Sequence, residues 1–126
     1  MDRYLVVMLG AALGGLSRFV AGTAIMEKYG GAFPLGTVVI NITGSFLIGV
    51  LMTLLTERWP GHTNWRLFLV TGVLGGYTTF SSFEYETLQA MRRGGPGIAL
   101  LNVVGSVALG YAAVWLGAWF AGRLWE

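Results

Sequence analysis

The sequence predicts an all-α integral membrane protein with four transmembrane helices and a break in the third. Three observations carry that expectation. Of 126 residues, 55% are hydrophobic and only 11% are charged, against roughly 25% charged in an ordinary soluble domain. The apolar residues fall into four long runs separated by short clusters of charge, Gly and Pro. Inside the third run stands Gly75-Gly76-Tyr77-Thr78-Thr79-Phe80-Ser81-Ser82-Phe83, with four hydroxyls at positions 78 to 82. Lipid offers an unpaired backbone no partner, so such a segment survives at membrane depth only where protein or a watery cavity surrounds it. A polar interruption of a spanning helix is also a common way to build an ion or solute site.

The first span is expected over 4–26, closed by Glu27-Lys28-Tyr29-Gly30-Gly31. Its start resembles a signal peptide, but the apolar run outlasts one, and no clear small-residue cleavage site precedes Arg18. It reads as a retained helix. The second span, 35–56, opens at Pro34 and closes at Glu57-Arg58-Trp59-Pro60-Gly61. The third, 65–91, would measure nearly 40 Å as one straight helix at about 1.5 Å per residue, an excess that favours a broken or partly unwound segment. The fourth, 97–122, opens after Arg92-Arg93-Gly94-Gly95-Pro96. Each run reaches the roughly 20 residues that a crossing needs, and together they make one domain over 1–126. Trp59, Trp65, Trp115, Trp119 and Trp125 lie mostly near expected ends, as an interfacial belt would.

Charge narrows the function. A net charge of +2, scattered along the chain, gives nucleic acid no basic face, and the absence of cysteine excludes disulfides and thiolate metal sites. The orientation signal nearly cancels. Arg3, Arg58, Arg66 and Arg123 fall on one side, and Lys28, Arg92 and Arg93 on the other, with Arg18 in the half of its helix nearer them. Two readings stand: a weak signal overridden by other factors, or a chain that inserts both ways and pairs antiparallel.

Small residues recur at i, i+4: Gly10 with Gly14, Ala11 with Gly15, Ser45 with Gly49, Gly72 with Gly76, Ser106 with Gly110, and Ala113 with Gly117. They let membrane helices approach closely. Four such helices leave no wide pore between them, so a conduction path would follow a helix groove or a subunit interface. Thr37, Asn41 and Ser45 share one face of the second helix, and Asn102, Ser106 and Gly110 share one face of the fourth. Asn41, with both a donor and an acceptor, is a candidate functional residue, while single Ser and Thr residues fit interhelical hydrogen bonding equally well.

Arg18 is the one cation well inside a span. It either draws an anion into a vestibule or snorkels to the interface. Ser81-Ser82-Phe83-Glu84 matches a capping box, so Glu84 and Glu86 are read as starting the second half of the third helix. His62 has no ligand-type partner at metal spacing, and no nucleophile–base arrangement is visible, which disfavours an enzyme.

A broken helix frees carbonyls at the end of its first half and amides at the start of its second, one set suited to a cation and the other to an anion. Gly75-Gly76, flexible residues in this reading, suit the first role, and the hydroxyls of 78–82 suit either. Phe80 and Phe83 are either lipid-facing or core side chains, or rings that turn their positive edges towards a small anion.

The run from Gly75 to Phe83 resembles the signature of the Fluc (CrcB) family of bacterial fluoride channels. Gly14-Gly15-Leu16-Ser17-Arg18 is similar to the start of that family, and Gly36-Thr37-Val38-Val39-Ile40-Asn41-Ile42-Thr43-Gly44-Ser45-Phe46 to its second-helix motif. The resemblance spans essentially the whole chain. It implies a passive fluoride channel in the bacterial inner membrane, built as an antiparallel, dual-topology homodimer with two pores. It implies that Phe80 and Phe83 line the pores, with Asn41, Thr79, Ser82 and Ser106 along the same track. It also implies a structural sodium ion at the dimer centre, held by the backbone carbonyls of Gly75 and Thr78 of each subunit. Two positions depart from the pattern. Gly110 lacks a hydroxyl carried by some members, and Asn102 stands where some have a larger ring. The runner-up is a small multidrug exporter, also a four-helix dual-topology dimer, but this chain has no carboxylate between Asp2 and Glu27 for proton coupling. A non-conducting membrane assembly factor is a third reading.

Overall fold

In the computed structural model, which describes residues 2–124, helix follows helix with no strand among the described residues. Helix α1 spans Arg3–Tyr29 and α2 spans Leu35–Arg58, the last turn of α2 being a wider π-helical one over Leu54–Arg58. Helix α3 covers 63–77: an α-helical turn Thr63–Arg66, a π-helical stretch Leu67–Leu74, and Gly75–Tyr77. Thr78 and Thr79 are extended, with φ/ψ of −79/157° and −150/122°. Helix α4 then runs Phe80–Arg93, and α5 runs Pro96–Arg123. Three of these, α1, α2 and α5, are long and apolar enough to cross a membrane, and the chain is a multi-pass membrane protein.

The ends follow local chemistry. The Asp2 carboxylate accepts from the Tyr4 amide at 3.1 Å and caps α1. Gly95, at φ 92°, turns the chain into α5 in a conformation open to Gly. Pro96 follows at the first helical position, where its missing N–H costs nothing. Arg92 and Arg93 occupy the last turn of α4, where cations complement the helix dipole.

The helices associate as two parallel couples. Along α1 and α3, Gly10 faces Phe68 and Gly72, while Gly14 faces Val73 and Tyr77; a Cβ on Gly72 would lie 2.8 Å from the Gly10 Cα. Along α2 and α5, Gly49 meets Val114 and Ala118, and Gly117 meets Phe46 and Val50. The Phe46 and Phe120 rings stack obliquely at 6.2 Å beside this contact. The antiparallel crossing of α1 and α2 brings Gly22 and Met26 against Gly36 and Ile40. Most of the expected small pairs therefore sit at backbone contacts, as membrane packing requires. Gly15 and Gly110 are looser: a Cβ on Gly15 would meet nothing within 4 Å, and one on Gly110 only Ser45 Oγ at 3.6 Å.

Two sequence expectations are revised here. Gly75 and Gly76 are not the flexible point: Gly75 is helical at φ −62°, and the chain leaves the helix at Thr78. Gly76 is small because α1 lies against it: a Cβ there would strike the Ala11 carbonyl and lie 3.0 Å from the Gly15 nitrogen. The cap of α4 is Thr79, whose hydroxyl accepts from the Ser82 amide, rather than Ser81 paired with Glu84. Glu84 is exposed. Trp59 and Trp65 flank the turn between α2 and α3, and Trp115 and Trp119 lie in the last third of α5, all four exposed. Trp125 lies outside the described residues.

Candidate functional site

The extended pair Thr78–Thr79 is held by side chains from two other helices. Asn41 of α2 grips Thr79 at both backbone groups: its Nδ2 donates to the Thr79 carbonyl at 2.9 Å, and its Oδ1 accepts from the Thr79 amide at 2.8 Å. The asparagine amide thus replaces the helical partners that an extended residue has lost. Arg18 of α1 donates through Nη1 to the Thr78 carbonyl at 3.3 Å. The structure gives this half-buried arginine a specific backbone partner, where the sequence offered a vestibule charge or a snorkelling side chain. Gly44 leaves room for the methyl of Thr78, which a Cβ there would strike. On the outer side, Thr43 Oγ1 and Tyr77 OH lie 2.9 Å apart and tie α2 to α3.

These bonds redirect the backbone at the junction. In a continuous helix the Thr79 amide would bond the Gly75 carbonyl, and the Ser82 amide the Thr78 carbonyl. Here the first goes to Asn41 and the second to Thr79 Oγ1 at 3.3 Å. Both carbonyls are thereby released from their helical donors. At the other side of the junction, the first amides of α4 form a positive helix end.

A groove of about 390 Å³ runs beside this junction. Its polar wall carries Asn41, Ser45, Thr78, Thr79 and Ser106, and its apolar wall includes Phe80, Phe83, Leu74 and Val107. The Phe80 and Phe83 rings are 5.7 Å apart and inclined by 46°. Phe83 is buried, whereas Phe80 is 74% exposed at the mouth. Thr79 donates its hydroxyl proton to Ser82 Oγ at 3.1 Å, which leaves Ser82 its own proton to offer. The groove therefore combines neutral polar side chains, two aromatic rings and a helix N-terminus. That set suits a small anion without fixing it through a full positive charge.

A second chain of bonds leads away from the groove. Ser106 donates to Asn102 Oδ1 at 3.3 Å, Asn102 Nδ2 to Thr87 Oγ1 at 2.8 Å, and Thr87 to the Phe83 carbonyl at 2.7 Å. Asn102 is 1% exposed and ties α5 to α4. Glu86 carries a shielded oxygen, Oε2, with no hydrogen-bond partner among the described residues.

The structure thus brings Asn41, Thr79, Phe80, Phe83 and Ser106 to one groove, with Ser82 bonded to Thr79 behind it. Gly75 and Thr78 line the same groove, and Arg18 reaches it only through the Thr78 carbonyl. Sequence reasoning missed Gly44 and Thr87. Gly44 was legible only as part of a motif, because a small residue signals contact without naming what fills the space. Thr87 lies one turn beyond Phe83, and nothing in its neighbours marks it.

Fold and groove together define a multi-pass helical membrane protein with a partly polar groove beside the α3–α4 junction. The chain belongs to the CrcB-like (camphor resistance) family, whose model matches residues 5–118. A fluoride-specific ion channel FluC from Solibacter usitatus is 59% identical over 121 residues, covering 96% of this chain and 99% of that protein. FluC proteins from Acidobacterium capsulatum and Thermus thermophilus are 49% and 46% identical, each over at least 97% of this chain and 98% of their own length.

Proposed function

We propose that this protein is a fluoride-selective passive channel of the bacterial inner membrane, which lets fluoride leave the cytoplasm down its gradient. One observation carries the reading beyond the likeness to FluC proteins. The groove is lined by the Phe80 and Phe83 rings together with neutral amide and hydroxyl side chains, with no lysine or arginine among its lining residues. Fluoride is small and strongly hydrated, so a dry apolar path would exclude it and a fixed cation would retain it. Conduction needs donors that replace water piecemeal and bind weakly enough for release. The first amides of α4 and the ring edges supply such donors, and the Ser106 hydroxyl supplies one when it turns from Asn102. Asn41 braces the junction from which the α4 amides and the two rings project.

In this reading α3 and α4 are the two halves of one broken third span, which makes four crossings. The groove is open on one side, and the exposure of the Phe80 ring there supports its being covered by a second copy. Antiparallel pairing of two copies, supported by the balanced Lys and Arg counts, closes two grooves into two pores. The released carbonyls of Gly75 and Thr78 fit a hard monovalent cation at the junction between copies. Arg18 takes one lone pair of the Thr78 carbonyl and leaves the other. A sodium ion there would offset carbonyl repulsion and join subunits.

The decisive measurement is fluoride efflux from reconstituted vesicles with no pH or sodium gradient. Efflux of fluoride but not chloride, driven by the fluoride gradient alone, is the expected result. Efflux that requires a proton gradient would replace the channel with a coupled exporter.

A further inference from the structure

We infer that Asn102 is a positioning residue that withholds the Ser106 hydroxyl proton from the groove and so sets how weakly the groove holds its anion. The inference rests on the channel reading above.

The argument is one of proton counting. A backbone carbonyl only accepts, so the bond between Thr87 and the Phe83 carbonyl, at 2.7 Å, uses the single Thr87 proton. Thr87 Oγ1 can then only accept, and Asn102 Nδ2 donates to it at 2.8 Å. That fixes the amide orientation and turns Asn102 Oδ1 towards Ser106. The one Ser106 proton goes to that oxygen at 3.3 Å. At 1% exposure, Asn102 has no water with which to make up a lost bond. Flipping its amide would leave buried groups unpaired.

Ser106 lines the groove beside Phe83. With its proton held by Asn102, it presents lone pairs to the groove, and these repel an anion. An anion at Ser106 must draw the proton across, which strands Asn102 Oδ1 in a dry site. The 3.3 Å separation exceeds the roughly 2.5–3.0 Å usual for a hydroxyl donor, so the hold is weak and the transfer is within reach. Once the anion moves on, the hydroxyl proton swings back to the stranded oxygen. Ser106 thus acts as a donor whose strength is set by its competitor, and Asn102 acts through Ser106 without lining the groove.

The test is a double-mutant cycle read by fluoride flux against fluoride concentration in vesicles. Asn102→Leu removes the competing acceptor and keeps the number and branching of side-chain heavy atoms. The fluoride concentration at half-maximal flux should fall roughly three- to tenfold, the worth of one net hydrogen bond, and maximal flux should fall because release slows. Thr87→Val lets the Asn102 amide turn and should shift the curve the same way, while the Phe83 carbonyl keeps its helical amide. Should Asn102→Leu fail to assemble, Thr87→Val carries the comparison alone. In a Ser106→Ala background neither change should shift the curve further. An unshifted curve in the assembled variants overturns the inference, as does a shift that persists without Ser106. Wild-type vesicles that pass no fluoride overturn the channel reading and this inference with it. Wild-type flux with unshifted variants overturns this inference alone.

Discussion

Replacing Asn41 by Leu tests whether one asparagine holds the extended pair in place. Leucine has the same heavy-atom branching and is the bulkier side chain, so the change leaves no cavity and removes the hydrogen bonds. Two are lost, the 2.9 Å bond to the Thr79 carbonyl and the 2.8 Å bond from the Thr79 amide. Thr79 is 9% exposed, so both backbone groups would stay shielded and unpaired. Each such group costs about 1–3 kcal/mol, which puts the destabilisation at about 2–6 kcal/mol. Refolding the junction into a continuous helix would recover the bonds, but it would turn Phe80 and Phe83 away from the groove by changing their phase around the axis. Fluoride flux should therefore collapse even where the protein still assembles. Reversible unfolding in mixed micelles gives the stability, and vesicle efflux gives the flux. A loss under about 0.5 kcal/mol with unaltered flux would refute the clamp, because an interaction made twice to a buried backbone cannot be that small.

Three further outcomes follow from the same geometry. Phe80→Ile and Phe83→Ile keep much of the bulk but remove the positive ring edge, so flux should fall at least tenfold while assembly persists; unchanged flux in both would reduce the rings to packing. Gly72→Ala sets a methyl against the Gly10 Cα at 2.8 Å and should cost about 1–3 kcal/mol, whereas Gly105→Ala, where a Cβ meets nothing within 4 Å, should be neutral or slightly stabilising in the same unfolding assay. Arg18→Leu removes the donor to the Thr78 carbonyl and should destabilise by about 1–3 kcal/mol, with Arg18→Lys recovering part; equal stability of all three proteins would show that the bond is incidental.

Much of this protein is written locally. The long apolar runs dictate helices, since a backbone in lipid must satisfy its own hydrogen bonds. Gly95-Pro96 and Asp2 mark helix starts by chemistry confined to one turn. The spacing of Gly10, Gly14, Gly72 and Gly76 announces close contact, and the hydroxyl-rich run from Thr78 to Ser82 announces a site.

What the sequence could not place is which atoms meet. The helix yields at Thr78 and not at Gly75-Gly76, because α1 packs against Gly76 and keeps it helical, while Asn41 and Arg18 supply partners only to Thr78 and Thr79. The α4 cap falls on Thr79 and not on Ser81 for the same reason: a capping box is a local preference, and the clamp from α2 decides the residue at which the extended backbone ends. Arg18 lies 60 residues from its acceptor, and Asn41 lies 38 from Thr79. A residue's type fixes what it can donate or accept, and its immediate neighbours fix the helix it belongs to. Only tertiary packing, which sets two helices close enough for a 3 Å bond, decides which donor finds which acceptor.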